Sequence, residues 1–156
     1  MRNLKYLLLF VCIAGCLAAC KKNDFDQEKQ FKADTTAIRK FITDNNIPAV
    51  KDPSGLFYQI IQPGSGSVNY TATTSITSNY TGRLLNGTVF DSSKGTPITF
   101  QLGGVIAGWQ IGITKIQKGG KIRLIVPSLL GYGNQATGPI EENSILDFDV
   151  ELTDVK

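Results

Sequence analysis

The sequence predicts an α+β domain, an antiparallel sheet packed on one short helix and preceded by a separate amphipathic helix. Three observations carry this. The final segment alternates without a break, with Leu146, Phe148, Val150 and Leu152 on one side and Asp147, Asp149 and Glu151 on the other. That is the two-residue period of a strand with one buried and one wet face. From residue 55 onward, short apolar runs are punctuated by Gly and Pro, the pattern of strands and turns. Inside this body only residues 107–115, containing Trp109 and Ile113, read as a short helix.

In chain order, residues 1–19 come first, with a basic start at Arg2 and Lys5, an apolar run from Tyr6, and small residues before Cys20. This is the pattern of a secretory signal. The apolar stretch is 14 residues long, short of the ~20 that span hydrocarbon. Leu17-Ala18-Ala19-Cys20 resembles the lipobox of bacterial lipoproteins. The resemblance implies that Cys20 becomes an acylated N-terminus, and several acyl chains on one residue anchor stably. By the sorting rules of such lipoproteins, a non-Asp residue after the Cys, here Lys21, implies the outer membrane of a bacterial envelope.

Residues 23–46 are polar, with Phe25, Phe31, Ile38, Phe41 and Ile42 spaced so that the last four share one helical stripe. Asp44-Asn45-Asn46 stops this helix, and Pro48 and Pro53 keep the next stretch extended. So narrow a stripe predicts docking on the chain's own domain ahead of dimerisation, hence a monomer. The expected organisation is a leader over 1–19, the lipidated Cys, linker and helix over 20–54, and one domain over 55–156.

Strands follow at 56–61 and, after a Pro-Gly loop, along the Thr-rich stretch 71–85, where Ile76, Ser78 and Tyr80 point one way. Asn86-Gly87 supplies a hairpin turn. Residues 88–90 return, 98–102 add a short strand, and 121–126 place Ile122, Leu124 and Val126 opposite Lys121 and Arg123. The basic outer face of that strand and the acidic outer face of the last one predict neighbours.

Composition excludes much chemistry. The chain has 156 residues and no histidine, which removes Ser-His-Asp and Cys-His catalysis, imidazole metal ligands and imidazole pH switches. All three cysteines, Cys12, Cys16 and Cys20, fall in the first 20 residues, so the body can build neither a disulfide nor a zinc cluster. No metal or other cofactor is expected. Without the leader, 14 basic side chains face 13 acidic ones, too even a balance for the basic footprint of a nucleic-acid binder.

Weaker motifs dissolve on inspection. Gly131-Tyr132-Gly133-Asn134-Gln135-Ala136 fits a loose dinucleotide pattern, but Pro139 forbids the long helix that pattern needs. Glu141 and Glu142 are adjacent, so on a strand they would point to opposite faces and could not flank one bond. Ser92 and Ser93 lack a base. The Asn-x-Thr sequences at Asn69, Asn79 and Asn86 read as strand threonines.

There remains an aromatic set, Tyr80, Phe90, Phe100, Trp109, Tyr132 and Phe148, with Val105, Ile106 and Ile140 among them. Composition alone leaves core and pocket equally open. Five ordered blocks are Asn79-Tyr80-Thr81-Gly82, Asn86-Gly87-Thr88-Val89-Phe90-Asp91-Ser92-Ser93, Val105-Ile106-Ala107-Gly108-Trp109, Ile125-Val126-Pro127-Ser128 with Gly131-Tyr132-Gly133, and the strand from Leu146 to Leu152. Together they resemble FKBP-type peptidyl-prolyl isomerases over residues 55–156. The resemblance implies a bent antiparallel sheet wrapped around the short helix, with a prolyl ring held in an aromatic cup. It makes Trp109 the floor, and Tyr80, Phe90, Phe148, Val105 and Ile106 the walls, with Phe100 and Ile98 also on the substrate side. It implies that the Ile106 N–H and the Tyr132 hydroxyl bond peptide carbonyls, that Asp91 stands at the edge, and that Ile140 closes the rim. Two departures stand out. Lys94-Gly95-Thr96 lacks an Arg common in the family, leaving Asp91 without an evident partner, and Ile98 replaces a common aromatic.

The implied partners are proline-containing polypeptides, and the implied reaction moves no proton, so it tolerates the absence of histidine. The alternative is a module that binds proline segments without turnover.

Overall fold

The structure, a computed structural model, describes residues 26–156. The expected leader and Cys20 lie outside the described residues. Helix α1 spans Gln27–Asp44. Asp26 caps it, accepting the Lys29 N–H at 2.9 Å, which satisfies one of the free donors of the first turn. It ends at Asn45, whose N–H returns to the Phe41 carbonyl, and Asn46 turns the chain away with φ of 52°.

Seven strands follow: β1 (Val50–Lys51), β2 (Phe57–Gln62), β3 (Ser75–Leu84), β4 (Val89–Ser92), β5 (Ile98–Gln101), β6 (Lys121–Val126) and β7 (Leu146–Val155). Helix α2 (Ala107–Ile113) lies between β5 and β6. The sheet is antiparallel throughout, in the order β1-β2-β6-β7-β3-β4, and β5 also pairs with β3. β3 is long enough to pair with two short strands, β5 along Ser75–Ser78 and β4 along Thr81–Arg83.

The expected strand over 71–85 begins only at Ser75. Upstream, the Thr74 N–H bonds the Thr71 carbonyl and the Thr71 N–H bonds the Thr74 hydroxyl at 2.8 Å. The Thr74 side chain here competes with the ladder for a backbone group and helps make a turn. The short helix likewise ends at Ile113, before residue 115.

β6 and β7 are neighbours, with Lys121 opposite Glu151 and Arg123 opposite Asp149. Arg123 grips Asp147 with two bonds of 2.9 and 2.7 Å, Arg83 adds a third of 2.9 Å, and Arg83 also pairs with Asp149. Asp147, almost wholly buried, is thereby compensated by two guanidinium groups.

The main core lies between α2 and the inner face of the sheet, with Ile113, Ile122, Leu124, Val126, Leu146 and Leu152 fully buried. Two glycines set the distance between these layers. A Cβ on Gly112 would lie 2.4 Å from a Leu124 methyl, and one on Gly108 would lie 2.5 Å from a Val126 methyl. On the outer face, α1 docks through Ile38 onto Phe57 and Ile125, with Phe41 and Ile42 alongside. The stripe therefore covers the chain's own sheet.

Candidate active site

Beside the start of α2 the inner face opens into a hollow of about 260 Å³. β3 contributes Tyr80, β4 contributes Phe90 and Asp91, β5 contributes Phe100, and β7 contributes Phe148. The segment entering α2 adds Gly104, Val105 and Ile106, α2 itself adds Trp109, and the loop after β6 adds Tyr132.

Trp109, 4% exposed, stands at the centre of the aromatic set. Its ring meets Tyr80 edge-to-face at 5.3 Å, Phe148 at 5.5 Å and Phe100 at 6.0 Å. Phe90 stands edge-on to Phe148 at 5.5 Å. Each such pair is worth roughly 0.5–1.5 kcal/mol beyond burial, so the walls brace one another. The buried indole Nε1 has no hydrogen-bond partner among the described residues, so packing alone holds the ring.

The polar groups converge on the same space. The Tyr80 hydroxyl donates to Asp91 Oδ2 at 2.6 Å, and the Ser92 N–H donates to Asp91 Oδ1 at 2.8 Å. Burial first, and then this bond to a carboxylate, push the Tyr80 ionisation well above its ordinary range, so the phenol stays a neutral donor. The partner that Asp91 lacked in sequence is thus Tyr80. Ile106 caps α2, and its carbonyl accepts the N–H groups of Trp109 and Gln110 at 2.9 and 3.2 Å. Its own N–H donates to no group among the described residues. Gln110, which sequence reading passed over, holds the Val105 carbonyl at 2.8 Å. Tyr132 is 39% exposed. The hollow therefore offers donors at its rim and apolar surface at its base.

Two expected residues are placed elsewhere. Ile140 does not line the hollow: it is 4% exposed within the main core, because a two-way backbone bridge with Thr137 folds its loop inward. Ile98 does not line it either. It pairs with Ser78 on β3 and is 38% exposed. Glu141 and Glu142 are exposed in a loop. A second hollow, of about 270 Å³, involves the opposite face of the sheet, where Asn79, Lys121, Asp149 and Glu151 supply its walls. Lys121 and Glu151 already pair there at 3.2 Å, and Tyr80 is the one aromatic residue beside it among the described residues. Among the described residues no three His, Cys, Asp or Glu side chains are grouped to hold a metal ion.

Sheet, single inner helix and aromatic hollow at that helix's start define a class of small α+β domains with an apolar hollow beside that helix. The chain belongs to the FKBP-type peptidyl-prolyl cis-trans isomerase family, whose model matches residues 66–153. It is 52% identical over 108 residues to the FKBP-type peptidyl-prolyl cis-trans isomerase FkpA of Buchnera aphidicola, an alignment covering 68% of this chain and 43% of that protein. The crystal structure of FkpA from Escherichia coli superposes with a TM-score of 0.69 at 40% identity, covering 83% of this chain and 64% of that one. A peptidyl-prolyl cis-trans isomerase from Pseudomonas syringae pv. tomato superposes at 0.68 with 31% identity, covering 80% and 95%. The chain spans about two fifths of the length of the FkpA relatives from Buchnera aphidicola and Escherichia coli.

Proposed function

We infer that this chain is a peptidyl-prolyl cis-trans isomerase acting on proline-containing polypeptides. The observation that carries the reading is the Trp109 floor, braced edge-on by three rings and open to a space of about 260 Å³. That volume lies just under the ~300–1,000 Å³ of sites for drug-sized ligands, so it suits one small ring.

Rotation about an X-Pro bond breaks amide resonance, with a barrier near ~20 kcal/mol and a time of tens of seconds or more. At the midpoint the carbonyl and nitrogen are decoupled and the amide is less polar. An apolar cup favours that state over the planar forms, which water solvates better. Trp109, Phe90 and Phe148 supply the cup. The free Ile106 N–H and the Tyr132 hydroxyl hold the flanking carbonyls, so the peptide enters bent. Asp91 keeps the Tyr80 ring oriented through its hydroxyl. No group transfers a proton.

The setting we propose is a bacterial envelope, with the domain tethered by acyl chains on Cys20 to the outer membrane and assisting the folding of exported proteins. The motif around Cys20 supports this, and mass spectrometry of the mature chain tests it.

A protease-free isomerisation assay on a proline peptide decides the activity. Trp109→Ala and Phe90→Ala should each lower kcat/KM by about 10- to 100-fold, consistent with a loss of roughly 1.4–3 kcal/mol of transition-state stabilisation. Tyr132→Phe should cost less. A full rate in Trp109→Ala would move the site elsewhere. Peptide binding by the wild type without acceleration would make the chain a binding module.

A further inference from the structure

The N-terminal helix does more than cover the sheet. Asp34, on α1, is 2% exposed. Its Oδ1 accepts the Gln30 side-chain amide at 2.7 Å, and its Oδ2 accepts both the N–H and the hydroxyl of Ser128, at 2.8 and 2.7 Å. Ser128 is fully buried, 94 residues further along the chain. Its carbonyl in turn accepts the N–H groups of Gly131 and Gly133, at 2.9 and 2.8 Å. Those two glycines bracket Tyr132. The Gly133 carbonyl then accepts the Asn143 N–H at 2.7 Å, closing the far side of the loop.

Docking alone does not call for a carboxylate at this position. Ile38 already seats α1 on Phe57 and Ile125, and well-packed apolar groups can replace buried charge at no loss of stability. What a carboxylate adds is direction: charge-assisted bonds from two donors on one residue fix that residue's orientation. Here the oriented residue is the one whose carbonyl gathers the loop around Tyr132.

We propose that Asp34 is a positioning residue for Tyr132, holding the loop 128–133 from the N-terminal helix so that the Tyr132 hydroxyl meets bound peptide. The inference rests on the reading that Tyr132 faces substrate. It makes α1 part of the site's support and ties the rim of the hollow to the segment that leads in from the chain's N-terminus.

The test uses the full chain, with amide hydrogen exchange by NMR and the isomerisation assay run side by side. In Asp34→Ala, the Gly131 and Gly133 amides should exchange at least ~10-fold faster while those of β7 keep their protection, the mark of local opening. The same variant should lose about 3- to 10-fold in kcat/KM, and that loss should largely vanish in a Tyr132→Phe background, because residues acting as a unit are not additive. Asp34→Asn, which keeps an acceptor oxygen for Ser128, should recover most of both readouts. If Asp34→Ala loosens β7 as well, Ser128→Ala removes only the hydroxyl bond and should still speed exchange at the two glycines about threefold, the smaller effect of losing one bond. Unchanged glycine exchange in the folded variants overturns the proposal, and so does a loss that simply adds to that of Tyr132→Phe. An inactive wild type would instead overturn the proposed activity, and the exchange measurements would still decide whether Asp34 holds the loop.

Discussion

One absent methyl group allows the walls of the hollow to meet. A Cβ on Gly82 would lie 2.6 Å from the Phe148 ring and 2.7 Å from that of Phe90. Glycine is needed there for space rather than for an unusual backbone angle, since its φ is not positive. Gly82→Ala should therefore push the two rings apart, costing roughly 1–3 kcal/mol as overpacking does and lowering kcat/KM more than Tyr132→Phe does. Thermal unfolding and the isomerase assay read the two effects. The rings themselves were legible in sequence, because the blocks that carry them are specific. Their reach was not. Ile98 lies nearer Tyr80 in the register than Phe100 does, pairing with Ser78 where Phe100 pairs with Ile76. Yet the Phe100 ring comes within 6.0 Å of Tyr80, while the shorter Ile98 stays out of the hollow. Alternation puts both residues on one face and says nothing about which of them reaches the hollow. The Tyr80–Asp91 bond was equally hidden, because it joins two strands whose register only the folded sheet sets.

Among the elements, α1 separates what the pattern reveals from what it conceals. Its apolar stripe was readable at 3.6-residue spacing, but the surface that receives it was not. The receiving residues, Phe57 and Ile125, belong to strands whose outer face also carries charge: Ile125 shares its face with Lys121 and Arg123. An isoleucine on a wet face was the one available signal that something covers it. Ile38 is fully buried in this contact, so Ile38→Ala should cost about 2–4 kcal/mol if α1 and the sheet unfold together. A shifted denaturation midpoint at constant slope would show that they do. A midpoint unchanged from wild type would mean that α1 comes off before the sheet unfolds. The start of β3 is concealed for a related reason. Thr71 and Thr74 have strand propensity, yet the Thr74 hydroxyl accepts the Thr71 N–H, and the Thr71 hydroxyl meets those of Thr73 and Thr74.

For the molecule as a whole, the missing histidine fixes the shape of its pH response. With no imidazole in the chain, ordinary side-chain titrations leave a gap between roughly pH 5 and pH 9 for the body of the fold. At the acid end, the Lys115 ammonium at 2.6 Å, with help from Ser54, lowers the Asp52 carboxyl from 3.8 to about 2. A carboxyl lowered by folding contributes stability that is fully present above its unfolded value and is lost as pH falls through its folded value. At the alkaline end Tyr80 is raised above its ordinary 10.0, chiefly by burial. A raised group's contribution is complete below the unfolded value and disappears as pH climbs toward the folded one. Stability should therefore form a plateau with an acid shoulder that Asp52→Asn flattens. Catalysis should share that plateau, since the proposed mechanism asks a ring and two neutral donors to hold a peptide and asks no group to ionise. Measured from about pH 5.5 to 8.5, a range inside the gap left by unperturbed side chains, kcat/KM should vary by less than about twofold. A bell-shaped profile centred in that range would require a titrating catalytic group and would contradict a site built from apolar walls and neutral hydrogen-bond donors.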